Sequence, residues 1–526
     1  MLRDTYEGGG GMWAGKLWRG YCFFSPLCKA LNPHTSMLTA LLVTPLLGAL
    51  VLLPMDDETA VGRAQVKRVA LAVSMVAFAL SIAVWATYDA STPGYQFVQS
   101  YTTLGFCHLH VGVDALSLYY VVLTALLMPI CLLASWENVQ SRLKAYFTAL
   151  LVVETLLLTV FTVLDLLLFY VFFEAALVPL FLIVGIWGGS ATRVRAALLL
   201  FLYTLAGSLF MLLAIVVIAD HVGTTDFTLV TLSDFSYQGQ RLLWLGFFVA
   251  FAVKTPLVPF HMWLPRAHAE APLAGSMLLA GVVLKVASYG MLRILLPMLP
   301  DATQYFSPLV QAVAVVTIIY SALAALRQVD TKALVAYSSI SHMGVIVLGI
   351  FSNTVIGIEG AYLLSLAHGL VSPALFMLVG GVLYDRFHTR VLRYYRGLVV
   401  YMPVFATLFF ITACANMAVP LSLNWAGEFM ALAGAFQRSP VTAVMASTGI
   451  VLSACYTIWL WSRMVGGSWS AYLEYTVDVT RREFMVLLPL LALTVLLGIL
   501  PGVILADLHA NVTLLLYTYS PTSQPS

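Results

Sequence analysis

The chain has 526 residues, of which 61% are hydrophobic and 10% charged, with 24 acidic and 26 basic side chains and a net charge of +2. Soluble proteins carry about 25% charged residues, and a mean hydropathy of +0.94 means more apolar surface than a water-soluble globule can hide. The near-neutral balance excludes a nucleic-acid footprint, and the long continuous runs exclude an alternating outer-membrane barrel.

Residues 1–36 read as an N-terminal extension. They hold Arg3, Lys16, Arg19 and Lys29, the glycines Gly8 to Gly11, and no clean apolar helix. Asp4 and Glu7 set them apart from an acid-poor transit peptide. A spanning helix needs roughly 20 apolar residues. From Met37 onward, runs of that kind fall at 38–54, 67–87, 113–135, 143–162, 164–187, 195–219, 242–264, 272–292, 306–326, 333–351, 357–384, 399–418 continuing to 437, 441–462 and 483–506. The expected fold is an all-α polytopic membrane protein of about fourteen transmembrane helices.

The basic residues test that reading. Loops after odd-numbered runs carry Arg63, Lys67, Arg68, Arg142, Lys144, Arg193, Arg195, Arg266, Arg327, Lys332, Arg386, Arg390, Arg393, Arg396, Arg463, Arg481 and Arg482; loops after even-numbered runs carry Arg241, Arg293 and Arg438. The positive-inside rule places the odd loops in the cytoplasm or matrix and both termini on the opposite side.

The cysteines Cys22, Cys28, Cys107, Cys131, Cys414 and Cys455 form no C-x-x-C and no zinc or iron–sulfur spacing, and free cysteines in apolar runs are usually small hydrophobes. No phosphate-binding glycine loop follows a strand. Redox or nucleotide chemistry within this chain is therefore not expected.

Two lysines, Lys254 and Lys285, lie inside apolar runs rather than in loops. A lysine at the centre of a span costs roughly 2.5–3.5 kcal/mol on insertion scales, so such a residue marks a functional site by default. Glu174, His342, His368, Glu428 and Glu154 occupy similar depths in their own runs. A lone buried histidine is more often a satisfied core residue than a relay, but this many titratable groups near one plane suggest a hydrated line along which protons hop. Burial disfavours the charged form of a carboxyl or an amine and a nearby opposite charge favours it, so small movements change proton affinity strongly. Histidine titrates near neutrality, whereas arginine hardly releases its proton.

Two runs are interrupted. Lys254 precedes Pro256 and Pro259, and Pro420 precedes Glu428 by eight residues. Proline removes a backbone donor and frees a carbonyl, and such breaks survive in a membrane only where protein or a cavity satisfies them. Breaks in the seventh and twelfth helices predict two inverted five-helix repeats, helices 4–8 (143–296) and 9–13 (297–465). They are flanked by helices 1–3 (37–142) and by helix 14 with its tail (466–526). Ordinary proline kinks would explain either break alone; a titratable residue beside each favours a transport site.

At these residues a resemblance emerges. KTPLVPFHMWLPRAHAEAP from Lys254, RQVDTKALVAYSSISHMG from Arg327 and the mid-run Glu174 resemble the antiporter-like proton-pumping membrane subunits of respiratory complex I (NADH:ubiquinone oxidoreductase), over nearly the whole chain from Met37. Glu428, where most of that family carries lysine, resembles the branch that sits between subunits 2 and 5, and YDRFHTRVLRYYRGL resembles its mitochondrial type. Trp425 stands where the family usually has phenylalanine and Arg266 where an acid is common; the extension is not a family feature.

The resemblance implies one proton channel. Glu174 and Lys254 would form the ion pair of the first half-channel, Lys285 the central site, His342 and His368 the link, and Glu428 the exit-side group. Glu154, His261, His268, Pro256 and Pro420 would be supporting residues. It implies no cofactor in this chain, with FMN, iron–sulfur clusters and ubiquinone in other subunits. It implies partners among the membrane-arm subunits, especially subunits 2 and 5 with the latter's lateral helix, membrane lipids such as cardiolipin, and no nucleic acid. The implied location is the mitochondrial inner membrane, multi-pass, with both termini in the intermembrane space, or alternatively a bacterial plasma membrane. The nearest competing reading is a subunit of a multi-subunit Na⁺/H⁺ antiporter or membrane-bound hydrogenase. A structural membrane scaffold and a midplane solute transporter are further ones.

Overall fold

The computed structural model describes residues 33–104 and 107–519. The extension expected over 1–36 lies outside them apart from its last four residues. Helices dominate: α1 (Pro33–Leu52), α2 (Ala60–Thr87), α3 (Ala115–Ala134), α4 (Leu143–Thr162), α5 (Leu166–Trp187), α6 (Arg193–Val222), the short α7 (Phe227–Thr231), α8 (Tyr237–Lys254), α9 (Trp263–Glu270), α10 (Leu273–Met298), α11 (Pro300–Leu326), α12 (Thr331–Ile350), α13 (Val355–Phe387), α14 (Pro403–Asn416), α15 (Leu423–Arg438), α16 (Pro440–Val465), α17 (Arg481–Ile499) and α18 (Gly502–Tyr519). Among the described residues, 11 helices are long and apolar enough to cross a membrane. Every expected apolar run coincides with one helix or one interrupted pair.

Starts are set by short polar side chains. Asp165, Asp330, Thr354 and Ser422 each accept from a backbone N–H of the first turn they precede, which satisfies donors that no helix can satisfy internally. Burial then sorts the helices. The apolar window of α13 is 100% buried and that of α2 only 28%, so α13 is the axis of the bundle and α2 lies at its rim with most of its surface outside the chain. α10 and α12 flank α13 and are nearly as buried.

Three features differ from expectation. The strands β1 (Gln96–Leu104) and β2 (Cys107–Val113) pair antiparallel in a segment between expected helices; Val111 of β2 also bridges to Val163 just past α4. The run 483–506 ends early, because α17 stops at Ile499 and a separate α18 begins after Pro501; proline favours a break there by disfavouring the helical conformation of the residue before it. Third, α10 runs on to Met298, so Arg293 is inside a helix with its side chain 10% exposed rather than in an even-numbered loop. Lys332 likewise is no loop residue: it is 4% exposed, in the first turn of α12.

At the face carrying the odd-numbered loops, basic residues are tied down by acids. Arg386 makes two hydrogen bonds to Glu483, 2.9 and 2.8 Å long, in the bidentate geometry that suits a guanidinium. Arg390 lies 3.5 Å from Glu270 at the end of α9 and 3.4 Å from Asp330 at the start of α12. The second half of one broken helix is thereby pinned to its neighbour.

Candidate proton-transfer site

Two of the expected residues are brought together on α10 and α13. α10 contains a π-turn over Leu279–Val283, and Lys285 follows it within the next turn. The wider turn changes the intrahelical register, and the Lys285 ammonium donates to the Ala280 carbonyl inside it. The same Nζ lies 2.6 Å from His368 Nδ1 on α13; with the lysine charged, the imidazole accepts. The rings of His368 and His342 have centroids 5.8 Å apart. His342 Nδ1 lies 2.8 Å from Glu428 Oε1 on α15. Lys285, His368, His342 and Glu428 are 0, 2, 2 and 4% exposed. Four buried titratable side chains from α10, α13, α12 and α15 thus form one line.

Close backbone approach holds Glu428 in that line. A Cβ at Gly434 would strike the backbone of Gly357, and one at Gly427 the backbone of Leu364. α15 therefore lies against α13 with no side chain between them at these crossings. The break before α15 spans Met417–Ser422, with Ala418 and Leu421 at φ of 55 and 77°, a conformation L-residues rarely adopt. Beside it opens a cavity of about 410 Å³ whose lining includes Pro420, Trp425, Glu428, Phe429 and Phe436. Trp425 stacks on Phe429 with centroids 5.7 Å apart, so its ring serves the cavity wall and His342 is the partner of Glu428.

The first broken helix is satisfied by protein. Trp263 Nε1 donates to the Val253 carbonyl at 2.9 Å and Val258 N to Thr317 Oγ1 at 3.1 Å. Lys254, 2% exposed, ends α8 with its ammonium 4.3 Å from the ring centroid of Phe173. Cation and ring attract at that separation. Glu174, one residue further along, is half-buried beside Ser208. Lys254 and Glu174 make no contact ion pair here, although each lies within electrostatic reach of the other. The aromatic ring takes the place next to the ammonium that the resemblance gives to the carboxylate.

The supporting residues stand apart from the line. Glu154 is 0% exposed on α4 and neither carboxyl oxygen has a protein partner among the described residues. His261 packs edge-on to Tyr320 with centroids 5.3 Å apart, and His268 stacks on Phe376 at 4.5 Å; none of their ring nitrogens has a protein partner among the described residues. No group of three or more His, Cys, Asp or Glu that could hold a metal occurs among the described residues.

Sequence reasoning missed other polar groups. Tyr456 is 0% exposed, its hydroxyl has no partner among the described residues, and it lies within electrostatic reach of Glu428. A single tyrosine in an apolar run carries no signal of that proximity. Arg293 pairs with Asp114 at 2.6 Å, and Tyr120 shares a 2.6 Å hydrogen bond with Ser365.

Residues 163–453 match the family described as NADH:quinone oxidoreductase/Mrp antiporter, TM. The chain is 63% identical to NADH-ubiquinone oxidoreductase chain 4 of Mycosarcoma maydis over 92% of its length and 100% of that protein. It is 44% identical to the chain of the same name from Arabidopsis thaliana, over 90% of this chain and 96% of that one. Among solved structures it superposes on a chain of respiratory complex I from Thermus thermophilus with bound NADH, with a TM-score of 0.83, 30% identity, and coverage of 92% of this chain and 100% of that one. A chain of the Mrp complex from Dietzia sp. DQ12-45-1b gives a TM-score of 0.79 at 20% identity, covering 94% and 98%, a likeness of fold alone.

Proposed function

The chain belongs to the NADH-ubiquinone oxidoreductase chain 4 family, and on that premise we propose that protons cross it along the buried line Lys285–His368–His342–Glu428. It is a multi-pass, proton-pumping membrane-arm subunit of complex I, the H⁺-translocating NADH:ubiquinone oxidoreductase. The antiporter alternative is not favoured, since the relatives at 63% and 44% identity are chain 4 proteins. FMN, iron–sulfur clusters and ubiquinone belong to other subunits in this reading. The chain sits between subunits 2 and 5, under the lateral helix of the latter and among lipids such as cardiolipin. The membrane is the mitochondrial inner membrane, with both termini facing the intermembrane space. Helices α4–α10 and α11–α16 are its two inverted repeats, each with one broken helix.

The observation that carries the proposal is the pair of short contacts, 2.6 Å at Lys285–His368 and 2.8 Å at His342–Glu428, joined by two imidazoles 5.8 Å apart. Each member can hold or release a proton, and the gap between the rings is of a size that a single bridging water fills. Glu174 and Lys254 act earlier: movement of the carboxylate toward the ammonium would change the charge balance that Lys285 senses. A partner at about 4 Å is worth roughly 4 kcal/mol at an effective dielectric of 20.

Lys285→Met tests this. The variant complex should assemble on native gels and transfer protons through this subunit on the order of 100-fold more slowly. Lys285→Arg should also pump poorly, because arginine keeps its proton. Full pumping by Lys285→Met would remove the lysine from the path.

A further inference from the structure

A cluster of cations that the proton path does not use lies at the face carrying the odd-numbered loops, where α3 ends. Lys67 of α2 donates from Nζ to the Trp136 carbonyl and stands 5.7 Å from the centroid of that ring. Arg482, in the first turn of α17, reaches Glu137, the residue after Trp136, with Nη1 and Oε1 2.6 Å apart. Arg63 precedes Lys67 by one turn, and both arginines lie within electrostatic reach of the lysine. The acids at the start of α2 are engaged elsewhere: Asp56 accepts from the Glu58 N–H at 2.9 Å and Asp57 from the Lys144 N–H at 3.1 Å. Glu137, 72% exposed, thus faces three cations. Like charges held together repel, and the positive ends of α2 and α17 add to them. Arg482 Nε has no hydrogen-bond partner among the described residues, while 25% of its side chain stays exposed. An unsatisfied guanidinium donor calls for an acceptor oxygen. An anion here would answer both the charge and the donor.

Below the cations the surface turns apolar. α2 and α17 both pack on α3. Trp136 continues a stripe of α3 through Leu133 and Leu126, three and ten positions back, a spacing that keeps one helical face. Both leucines are half-buried on a helix whose other residues are nearly all buried. Leu71 and Met75 extend the face of α2 that carries Lys67, and Met485 and Leu496 extend the face of α17 that carries Arg482; all four are half-buried or exposed. The ten positions from Trp136 to Leu126 span about 15 Å, half of the roughly 30 Å hydrocarbon thickness of a bilayer. The stripe is one leaflet deep, with the cations at its interfacial end.

We propose that this surface binds one anionic phospholipid, its headgroup phosphate between Lys67 and Arg482 and an acyl chain along the α3 stripe. Basic pockets between spanning helices on this side recognise such headgroups. The inference names a place for the lipids of the reading above and rests on that reading, not on the proton line. Intact complex is reconstituted into nanodiscs with a phospholipid that carries a photoactivatable group on its acyl chain, and labelled peptides are mapped by mass spectrometry. An anionic phosphatidylglycerol or cardiolipin probe should label the Leu126–Leu133 segment several-fold more than a phosphatidylcholine probe with the same chain. Excess inorganic phosphate should not compete, because the chain contributes to binding; full competition would mean a free-phosphate site and overturn the lipid. Lys67→Gln with Arg482→Gln should lower the anionic labelling on the order of tenfold and leave the phosphatidylcholine labelling unchanged. Lys67→Arg with Arg482→Lys, which keeps both charges, should retain it. Equal labelling of that segment by anionic and zwitterionic probes in the wild-type complex would overturn the site, and that comparison needs no variant to assemble. Selective labelling of other segments but not this one would sink the site alone, whereas no labelling of any segment of this chain would count against the wider lipid reading.

Discussion

His342 and Glu428 are the two residues whose contact most constrains the chemistry. Both are nearly fully buried and they meet at 2.8 Å, a charge-assisted length. Groups that act as a unit show grossly non-additive losses. His342→Gln, Glu428→Gln and the double variant should therefore pump equally poorly, measured as proton flux per NADH oxidised. Independent, multiplying losses would mean that the two do not share a proton. Glu174 and Lys254 behave differently. Lys254 is packed over Phe173 at the end of α8 while Glu174 is half-buried and out of contact. Lys254→Met should accordingly lower pumping more than Glu174→Gln, and equal losses would point to a closed ion pair in the working state. At this scale the sequence was informative where a titratable residue stood alone in an apolar run, as at Lys285, His342, His368 and Glu428. It misplaced Arg293 and Lys332, which it assigned to loops. Each stands at the margin of an apolar run, and composition cannot tell a helix end from the loop beyond it.

The elements explain how so polar a line is held in a lipid-soluble bundle. α15 reaches α13 because glycine leaves their backbones free to touch, as at Gly434 against Gly357 and Gly360 against Ala431. Gly434→Val should push the helices apart, cost about 1–3 kcal/mol as overpacking and lengthen the His342–Glu428 contact. Reduced assembly on native gels, with lost pumping in whatever assembles, is the expected readout; unaltered assembly and pumping would show that the crossing tolerates a side chain. Leu421, 65% exposed and at positive φ beside the second break, offers the opposite test. Leu421→Gly keeps the left-handed conformation but relieves its cost of about 1–2 kcal/mol in an L-residue, and should raise the thermal midpoint of the complex without altering pumping. A lowered midpoint would show that its side chain, not its backbone, matters there. Helices were legible as continuous apolar runs and breaks as prolines. The hairpin was not, because QFVQSYTTL and CHLHVGV are short and only loosely alternating, and strand pairing is a non-local choice. The division between α17 and α18 hung on Leu500 and Pro501 in a segment otherwise as apolar as any single span.

Across the whole molecule, the Arg386 and Arg390 ion pairs at one face and the Arg293–Asp114 pair toward the other bracket a line that lies between them. The most buried helices, α10, α12 and α13, carry its first three groups, and α15 carries the last beside a cavity. On the proposed path a proton moves sideways, from the centre of the subunit at Lys285 to its flank at Glu428. That lateral path makes Glu428 the deciding group. The measurement that tests it most directly is the proton-to-electron ratio of the reconstituted complex carrying Glu428→Gln, with assembly checked on native gels. Glutamine keeps the size and an acceptor but carries no proton. The ratio should fall while the complex remains intact, and Glu428→Asp should recover part of it because an ionisable group survives with shorter reach. An assembled Glu428→Gln complex with the wild-type ratio and rate would contradict the line from Lys285 to Glu428.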